Sequence, residues 1–134
     1  MTLDIKDKKG NSKIIFSDFK LSSELEPIII DCNINIATSC FKSSSSIIIE
    51  LLDIKEFYKN LTILQDNLKW TFHFQHNDER IHLVFQPNEL GSIAIKGTFK
   101  SIDYKDKLEF VFETDQTYID DLLQQCEEIM SEFK

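Results

Sequence analysis

Two histidines in the second half of the chain are the first residues whose type and spacing could carry chemistry. His73 and His82 each lie on the polar side of a run that alternates apolar and polar residues. As neighbours on adjacent strands, they could supply two ligands to zinc or copper. A third ligand is needed, but the alternation turns His76 to the opposite face and no cysteine is nearby in sequence. We therefore expect two exposed imidazoles, and neither a metal nor another cofactor.

Catalytic motifs find little support in this chain. The serines cluster at Ser43–Ser46 without the G-x-S-x-G turn that presents a nucleophile. No two carboxylates are marked as a buried pair, although hydrolysis by paired carboxylates stays open in so acidic a chain. The three cysteines, Cys32, Cys40 and Cys126, have no C-x-x-C spacing, so we expect core or near-core thiols in a reducing compartment. We expect no enzyme.

The acidic C-terminal segment is the feature that most suggests a binding role. From Glu113 to Lys134 there are seven acids and one lysine, within a chain of net charge -8. Several glutamates fall at the negative end of a predicted helix, where the helix dipole disfavours them. A basic partner would explain them, and so would plain solubility. The candidate partner-binding residues are Asp120, Asp121, Glu127, Glu128 and Glu132.

The overall charge and the N-terminus limit the other partners. A net charge of -8 repels phosphate backbones, so direct binding to nucleic acid or to an anionic membrane is disfavoured. The segment Met1–Asp7 carries charge throughout and has no apolar stretch of the signal-peptide kind, and no run approaches the ~18 to 20 apolar residues of a membrane span. We expect a cytoplasmic protein.

The first half of the chain alternates as strands do. Short strands are predicted at Leu3–Lys6 and Lys13–Lys20, and a longer strand follows Pro27 with one apolar and one polar side. Ser43–Ser46 is predicted as a loop and Ile47–Leu52 as a buried strand. A helix then begins at Asp53, with Glu56 in the capping-box position, and runs to about Gln65.

Four further strands and a helix complete the predicted fold. Trp70, Phe72 and Phe74 share an apolar side, so we expect Trp70 to be largely buried. A tight Asn77-Asp78 turn would place Phe72 opposite Leu83 and His73 opposite His82. The chain closes with an amphipathic helix over about Gln116 to Glu132. The predicted class is α+β, a single domain over residues 1–134 with an antiparallel sheet or sandwich of seven to eight strands, a central helix and a C-terminal helix.

The end of the last strand carries a family resemblance. The segment from Leu108 to Ile119 contains Asp115-Gln116-Thr117-Tyr118 between an alternating strand and the final helix, and resembles the ending of WapI-like immunity proteins. The strand that opens at Gly91 is similar as well, although Ser92 stands where the family often has His. The resemblance covers about Ile47 to Lys134. The Asp-Gln-Thr-Tyr turn is interpreted as structural, with Asp115 or Thr114 capping the helix and Gln116 and Tyr118 holding the corner.

The resemblance implies an immunity protein that neutralises a cognate bacterial toxin by stoichiometric binding. The implied toxin is often a nuclease, whose active face must be basic to attract phosphate, and an acidic inhibitor would associate with it rapidly. The alternative is a non-catalytic β-sheet module, structural or small-ligand-binding, whose aromatic residues line a pocket and not a core. An enzyme with a carboxylate site is the third hypothesis.

Overall fold

The computed structural model describes residues 1–134 as eight strands and two helices. A single 3₁₀ turn, Gln116–Tyr118, leads from the last strand into the last helix. In chain order the elements are β1 (Thr2–Lys6), β2 (Ser12–Ser23), β3 (Ile29–Ala37), β4 (Lys42–Glu50), α1 (Leu51–Asp66), β5 (Phe72–Gln75), β6 (Ile81–Pro87), β7 (Ser92–Lys100), β8 (Lys107–Asp115) and α2 (Ile119–Glu132).

The strands form two antiparallel sheets, one from each half of the chain. The first has the order β1-β2-β3-β4 and the second β5-β6-β7-β8, so every strand pairs only with its neighbours in sequence. Short connections allow this, because antiparallel neighbours need only a hairpin between them. The α+β class, the strand number and the two helices are confirmed. Neither helix has the length and apolar character that crossing a membrane requires.

One apolar cluster of 28 buried residues joins both sheets and both helices. The alternating side chains of each sheet supply most of it, as period-2 patterning predicts. Phe57 of α1 lies against the second sheet, with its ring centroid 5.1 Å from that of Phe74 and 5.5 Å from that of Phe85. Phe16 of the first sheet meets Phe74 edge to face at 5.6 Å. The aromatic rings therefore pack against one another as a core, which disfavours the pocket of the alternative hypothesis.

The serine run Ser43–Ser46 was predicted as a loop, and that prediction is wrong. These residues form the first half of β4 and pair with β3 from Ile36 to Asn33. Serine has little intrinsic preference for strands, so the pairing with β3 decides the conformation. The strand ends at Glu50, and Ile48 points outward with 47% of its surface exposed, so the run after Ser46 is buried on one side only.

The first helix begins two residues earlier than predicted. Glu50 is its N-cap, and the Asp53 carboxylate accepts a hydrogen bond from the Glu50 amide at 2.8 Å. Asp53 therefore lies at the third helical position and is not the first residue, and Glu56 is exposed on the helix surface. The acid spacing allowed either assignment, because a capping pair needs only two polar residues three apart.

Two expectations about the fifth strand are also wrong. The register pairs Phe72 with Phe85 and Phe74 with Leu83, two residues from the predicted pairing, because the connection to β6 is longer than a tight turn. The faces are nevertheless as predicted, since a shift of two preserves the alternation. Trp70 precedes the strand and is 37% exposed, with its indole nitrogen donating to Asn60 Oδ1 at 3.1 Å.

Candidate functional site

The exposed side of α2 presents all five of the predicted partner-binding acids. Its opposite stripe is buried through Ile119, Leu122, Cys126 and Ile129, which confirms the predicted amphipathic arrangement. The helix contains no basic residue. Its exposed surface is therefore uniformly acidic or polar, and the exposed acids are Asp120, Asp121, Glu127, Glu128 and Glu132.

Two of these five acids are engaged within the chain. Glu127 accepts a hydrogen bond from the Tyr58 hydroxyl at 2.9 Å, and Asp120 accepts one from the side-chain amide of Gln65. Both donors belong to α1, so these bonds tie the two helices together. The hydrogen bond to Glu127, followed by the charge of that carboxylate, raises the pKa of Tyr58. Sequence periodicity could not reveal these bonds, because each joins residues far apart in the chain.

The other three acids of the helix, Asp121, Glu128 and Glu132, have side chains that form no hydrogen bond or ion pair with the rest of the protein. We call them the free carboxylates. The helix that carries them is held in place at the edge of the first sheet, where Gln125 accepts a hydrogen bond from the Asp4 amide at 2.8 Å. A rigid helix with unengaged carboxylates is a surface that can meet a cationic partner.

The Asp115–Tyr118 corner has part of the structural role that was predicted for it, because Asp115 caps the 3₁₀ turn while no side chain caps α2 itself. Asp115 Oδ1 accepts the amide of Thr117 at 3.0 Å, and the Gln116 amide donates to the Gly91 carbonyl at 3.2 Å. Thr114 is buried and does not act as the cap. Gly91 has a φ of +81°, and a Cβ there would lie 3.0 Å from the Gln116 side chain. The corner therefore holds the connection from β8 to α2 in place.

The histidine pair predicted on the second sheet is present, although the register differs. His73 Nδ1 lies 2.7 Å from His82 Nε2, and the rings stack with centroids 5.0 Å apart. One ring must therefore donate and the other accept. Partial burial, followed by the charge of His73, lowers the pKa of His82. No third His, Cys, Asp or Glu lies close enough to these rings to complete a three-ligand site.

A second histidine cluster was not predicted from the sequence. His76 Nδ1 lies 2.7 Å from Asp53 Oδ2 and 3.7 Å from Glu50 Oε2, and the ligand atoms of the three residues all lie within 4.8 Å of one another. These residue types could hold a divalent metal. However, Asp53 Oδ2 already accepts the Glu50 amide, and the N-terminus of a helix favours anions over cations. The cluster instead caps α1 and fastens the β5–β6 connection to it.

Arg80 is a buried cation that also escaped prediction. Only 5% of its surface is exposed, and it joins the two sheets by donating to the Ser46 carbonyl at 2.8 Å, to Ser45 Oγ at 2.9 Å and to the Lys100 carbonyl at 3.2 Å. Its guanidinium also lies 5.4 Å from the centroid of the Phe99 ring. A buried charge is stable only with several such partners. Arg80 therefore acts as a clamp between the sheets.

The cysteines offer no reactive pair. All three are free thiols, and burial raises the pKa of Cys32 and of Cys126 to about 12, which keeps them protonated at neutral pH. Cys40, which was expected in or near the core, is exposed in the β3–β4 turn. The turn places it beyond the last paired residues of the hairpin, so the core does not reach it.

Comparison with known families confirms the resemblance that the C-terminal segment indicated. The model of the immunity protein WapI-like family matches residues 17–134. The match therefore begins within β2 and includes β3 and β4, which had contributed little to the resemblance. No curated protein matches the chain.

Proposed function

The chain belongs to the WapI-like immunity protein family, and we propose that it neutralises one cognate bacterial toxin domain by binding it stoichiometrically. The family supports an immunity protein in general. We extend this to a toxin with a basic active face, of which a nuclease is the leading example. The single observation that carries the extension is the exposed acidic surface of α2, with its three free carboxylates Asp121, Glu128 and Glu132.

Electrostatics gives that surface a specific role. A nuclease concentrates Lys and Arg where it holds phosphate, so its active face attracts anions. Long-range attraction between that face and an acidic helix raises the rate of encounter and weakens as salt is added. An inhibitor that covers the active face needs no catalysis or cofactor of its own. The complex must form where the toxin would reach nucleic acid, which supports a cytoplasmic site of action.

The test is a growth and binding experiment with the toxin domain encoded next to this chain's gene. Expression of that domain alone should arrest growth, and co-expression with the chain should restore it. Calorimetric titration of the purified proteins should give one chain per toxin domain. A toxin domain of another specificity serves as the control and should not be neutralised. Failure of the chain to bind the neighbouring toxin domain, with growth arrest unrelieved, would contradict the proposal.

A further inference from the structure

A cleft of about 600 Å³ opens between the first sheet and two connections of the second sheet. Its floor is formed by residues of β2, β3 and β4, and its wall comes from the β5–β6 and β7–β8 connections of the second sheet. We call it the interloop cleft and define it by six of its lining residues: Asp18, Asp31, Ile48, Asp78, Ile102 and Tyr104.

Apolar surface is concentrated in the cleft. Ile102 is 78% exposed, Tyr104 51% and Ile48 47%. Single exposed apolar residues are ordinary on protein surfaces, but three of them converging on one concavity offer area that a partner can bury. Tyrosine is also among the residues most enriched at interfaces, because it has an apolar ring and a polar end.

Carboxylates surround that apolar surface. Asp18, Asp31 and Asp78 line the cleft, and none of them forms an ion pair with a basic side chain of the protein. Lys20 also lines it, opposite Asp31 in the register, yet it too is free of ion pairs. Arg80 also lines the cleft, with its guanidinium bonded to Ser45, Ser46 and Lys100. A ligand entering the cleft therefore meets three carboxylates, one free amine and a guanidinium that is already hydrogen-bonded within the protein.

The walls of the cleft are held in place. The Tyr104 hydroxyl donates to the Asp78 carbonyl at 2.6 Å, which joins the two connections, and Arg80 anchors them to β4. Asp18 Oδ2 accepts from the side-chain amide of Asn33 at 2.8 Å. A cleft that is already formed loses little conformational entropy when a partner binds.

We propose that the interloop cleft receives a lysine or arginine side chain of the cognate toxin, together with an apolar residue beside it. This inference rests on the function proposed above and names the contact that holds the complex together. The aliphatic stem of a basic side chain suits the surface of Ile48 and Ile102, while its charged end suits Asp31. The Tyr104 ring can also face the cation. An acidic or purely apolar segment would leave Asp31 unpaired, whereas Asp18 already accepts from Asn33 and Asp78 from the Arg80 amide.

The two acidic surfaces then have different kinetic roles. α2 packs against β1, at one edge of the first sheet, whereas residues of β2, β3 and β4 line the cleft and none of β1 does. Exposed charges outside a contact mainly change the association rate, whereas a buried anchor changes the dissociation rate. Variants in the cleft should therefore speed dissociation from the toxin and leave the on-rate close to that of the wild type.

The experiment measures both rate constants for the purified full chain and the immobilised toxin domain encoded beside its gene. The variants are Ile102→Ser and Asp31→Asn, and the matched controls are Leu90→Ser and Glu89→Gln in the exposed β6–β7 turn. Each cleft variant should raise the dissociation rate at least about tenfold, as loss of an interface anchor does. The controls should match the wild type, and melting temperatures should show that all variants fold.

Four results would count against the inference. If both cleft variants form the complex and dissociate at the wild-type rate, the cleft is not a toxin-binding site, but the proposed immunity function is not contradicted. A dimer of the free chain that Asp31→Lys dissociates would assign the cleft to a second copy. If the wild-type chain forms no complex with the toxin domain, both the cleft proposal and the proposed function are wrong. A lower melting temperature for Asp31→Asn with unchanged kinetics would give that carboxylate a structural role only.

Discussion

The hydroxyl of Tyr58 donates a 2.9 Å hydrogen bond to Glu127, 69 residues later in the chain, and so joins α1 to α2. This bond divides the acids of α2 into those that hold the fold and those that are free to meet a partner. Glu127 accepts from Tyr58 and Asp120 from Gln65, whereas the free carboxylates have no partner in the chain. A binding role for the helix therefore rests on Asp121, Glu128 and Glu132.

The first prediction concerns the titration of Tyr58. Its raised pKa comes first from the hydrogen bond to Glu127 and then from the charge of that carboxylate. Glu127→Gln removes the charge, so the pKa of Tyr58 should fall towards its ordinary value, which the absorbance of the phenolate measures. Glu128→Gln is the matched control and should leave the titration unchanged. Identical titration curves for wild type and Glu127→Gln would show that the bond does not form in solution.

The second prediction concerns Gly97 of β7, which pairs with Phe110 of β8. A Cβ at Gly97 would lie 2.2 Å from the Phe110 ring, so the ring occupies the space that a side chain would need. Gly97→Ala should destabilise the protein by about 1–3 kcal/mol, the usual cost of overpacking. Urea unfolding checks this. The same change in a Phe110→Leu background should cost less, and an equal cost there would exclude the ring as the cause.

The third prediction concerns how much Trp70 contributes to the stability of the fold. Since Trp70 is 37% exposed and lies outside β5, Trp70→Ala should cost only about 1 kcal/mol, close to the average for single substitutions. Phe72→Ala, in the core of the same segment, should cost about 3–5 kcal/mol. Thermal unfolding of both variants tests the ranking. A larger loss for Trp70→Ala than for Phe72→Ala would show that the indole is buried in solution.

The sequence predicted the faces of the sheets better than their connections. Alternation identified Ile30, Cys32 and Ile34 as core residues because the side-chain period of a strand is a local property. The pairing of Phe72 depended on the length of the next turn, and that turn is shaped by a contact between His76 and Asp53 that local patterns do not contain. Tertiary contacts of this kind are where pattern-based expectations fail.

The candidate site shows the same division. The helical period placed the five acids of α2 on the exposed side, because the opposite stripe is apolar. It could not show which of them are bonded, since Tyr58 and Gln65 belong to another helix. Arg80 and the cleft above it were not predicted either, because a lone arginine at the start of a strand has no distinguishing pattern in the sequence.

The fourth prediction is a pH dependence of stability that comes from His82. Burial and the charge of His73 lower its pKa, although Glu79 opposes this, so the folded protein favours the neutral ring. Between the lowered pKa and the ordinary value of about 6.5, the unfolded chain binds more protons, and stability therefore falls as the pH falls through this window. His82→Gln should lose less stability than the wild type between about pH 7.5 and about pH 5. An equal loss of unfolding free energy in the wild type and in His82→Gln between these two pH values would contradict the assignment to His82.

The last prediction separates the free carboxylates of α2 from the acids that tie the helices. Asp121→Asn, Glu128→Gln and Glu132→Gln, combined in one variant, remove three exposed charges that make no contact within the protein. Glu128 and Glu132 lie four residues apart, so their like charges repel each other. Both also lie towards the C-terminus of α2, where the helix dipole disfavours negative charge. The melting temperature of this variant should therefore equal or slightly exceed that of the wild type.

The same variant should associate more slowly with the toxin domain. Exposed charges of opposite sign raise the encounter rate, so their removal should lower the on-rate about tenfold at low salt and flatten its salt dependence, while the off-rate changes little. The control is Asp66→Asn, Glu89→Gln and Asp106→Asn, which removes three exposed charges elsewhere on the surface. A uniform effect of net charge would slow both variants equally. A surface that steers the toxin cannot lose its charge without slowing the encounter. An on-rate equal to that of the wild type at low salt would therefore show that the acids of α2 serve solubility and not binding.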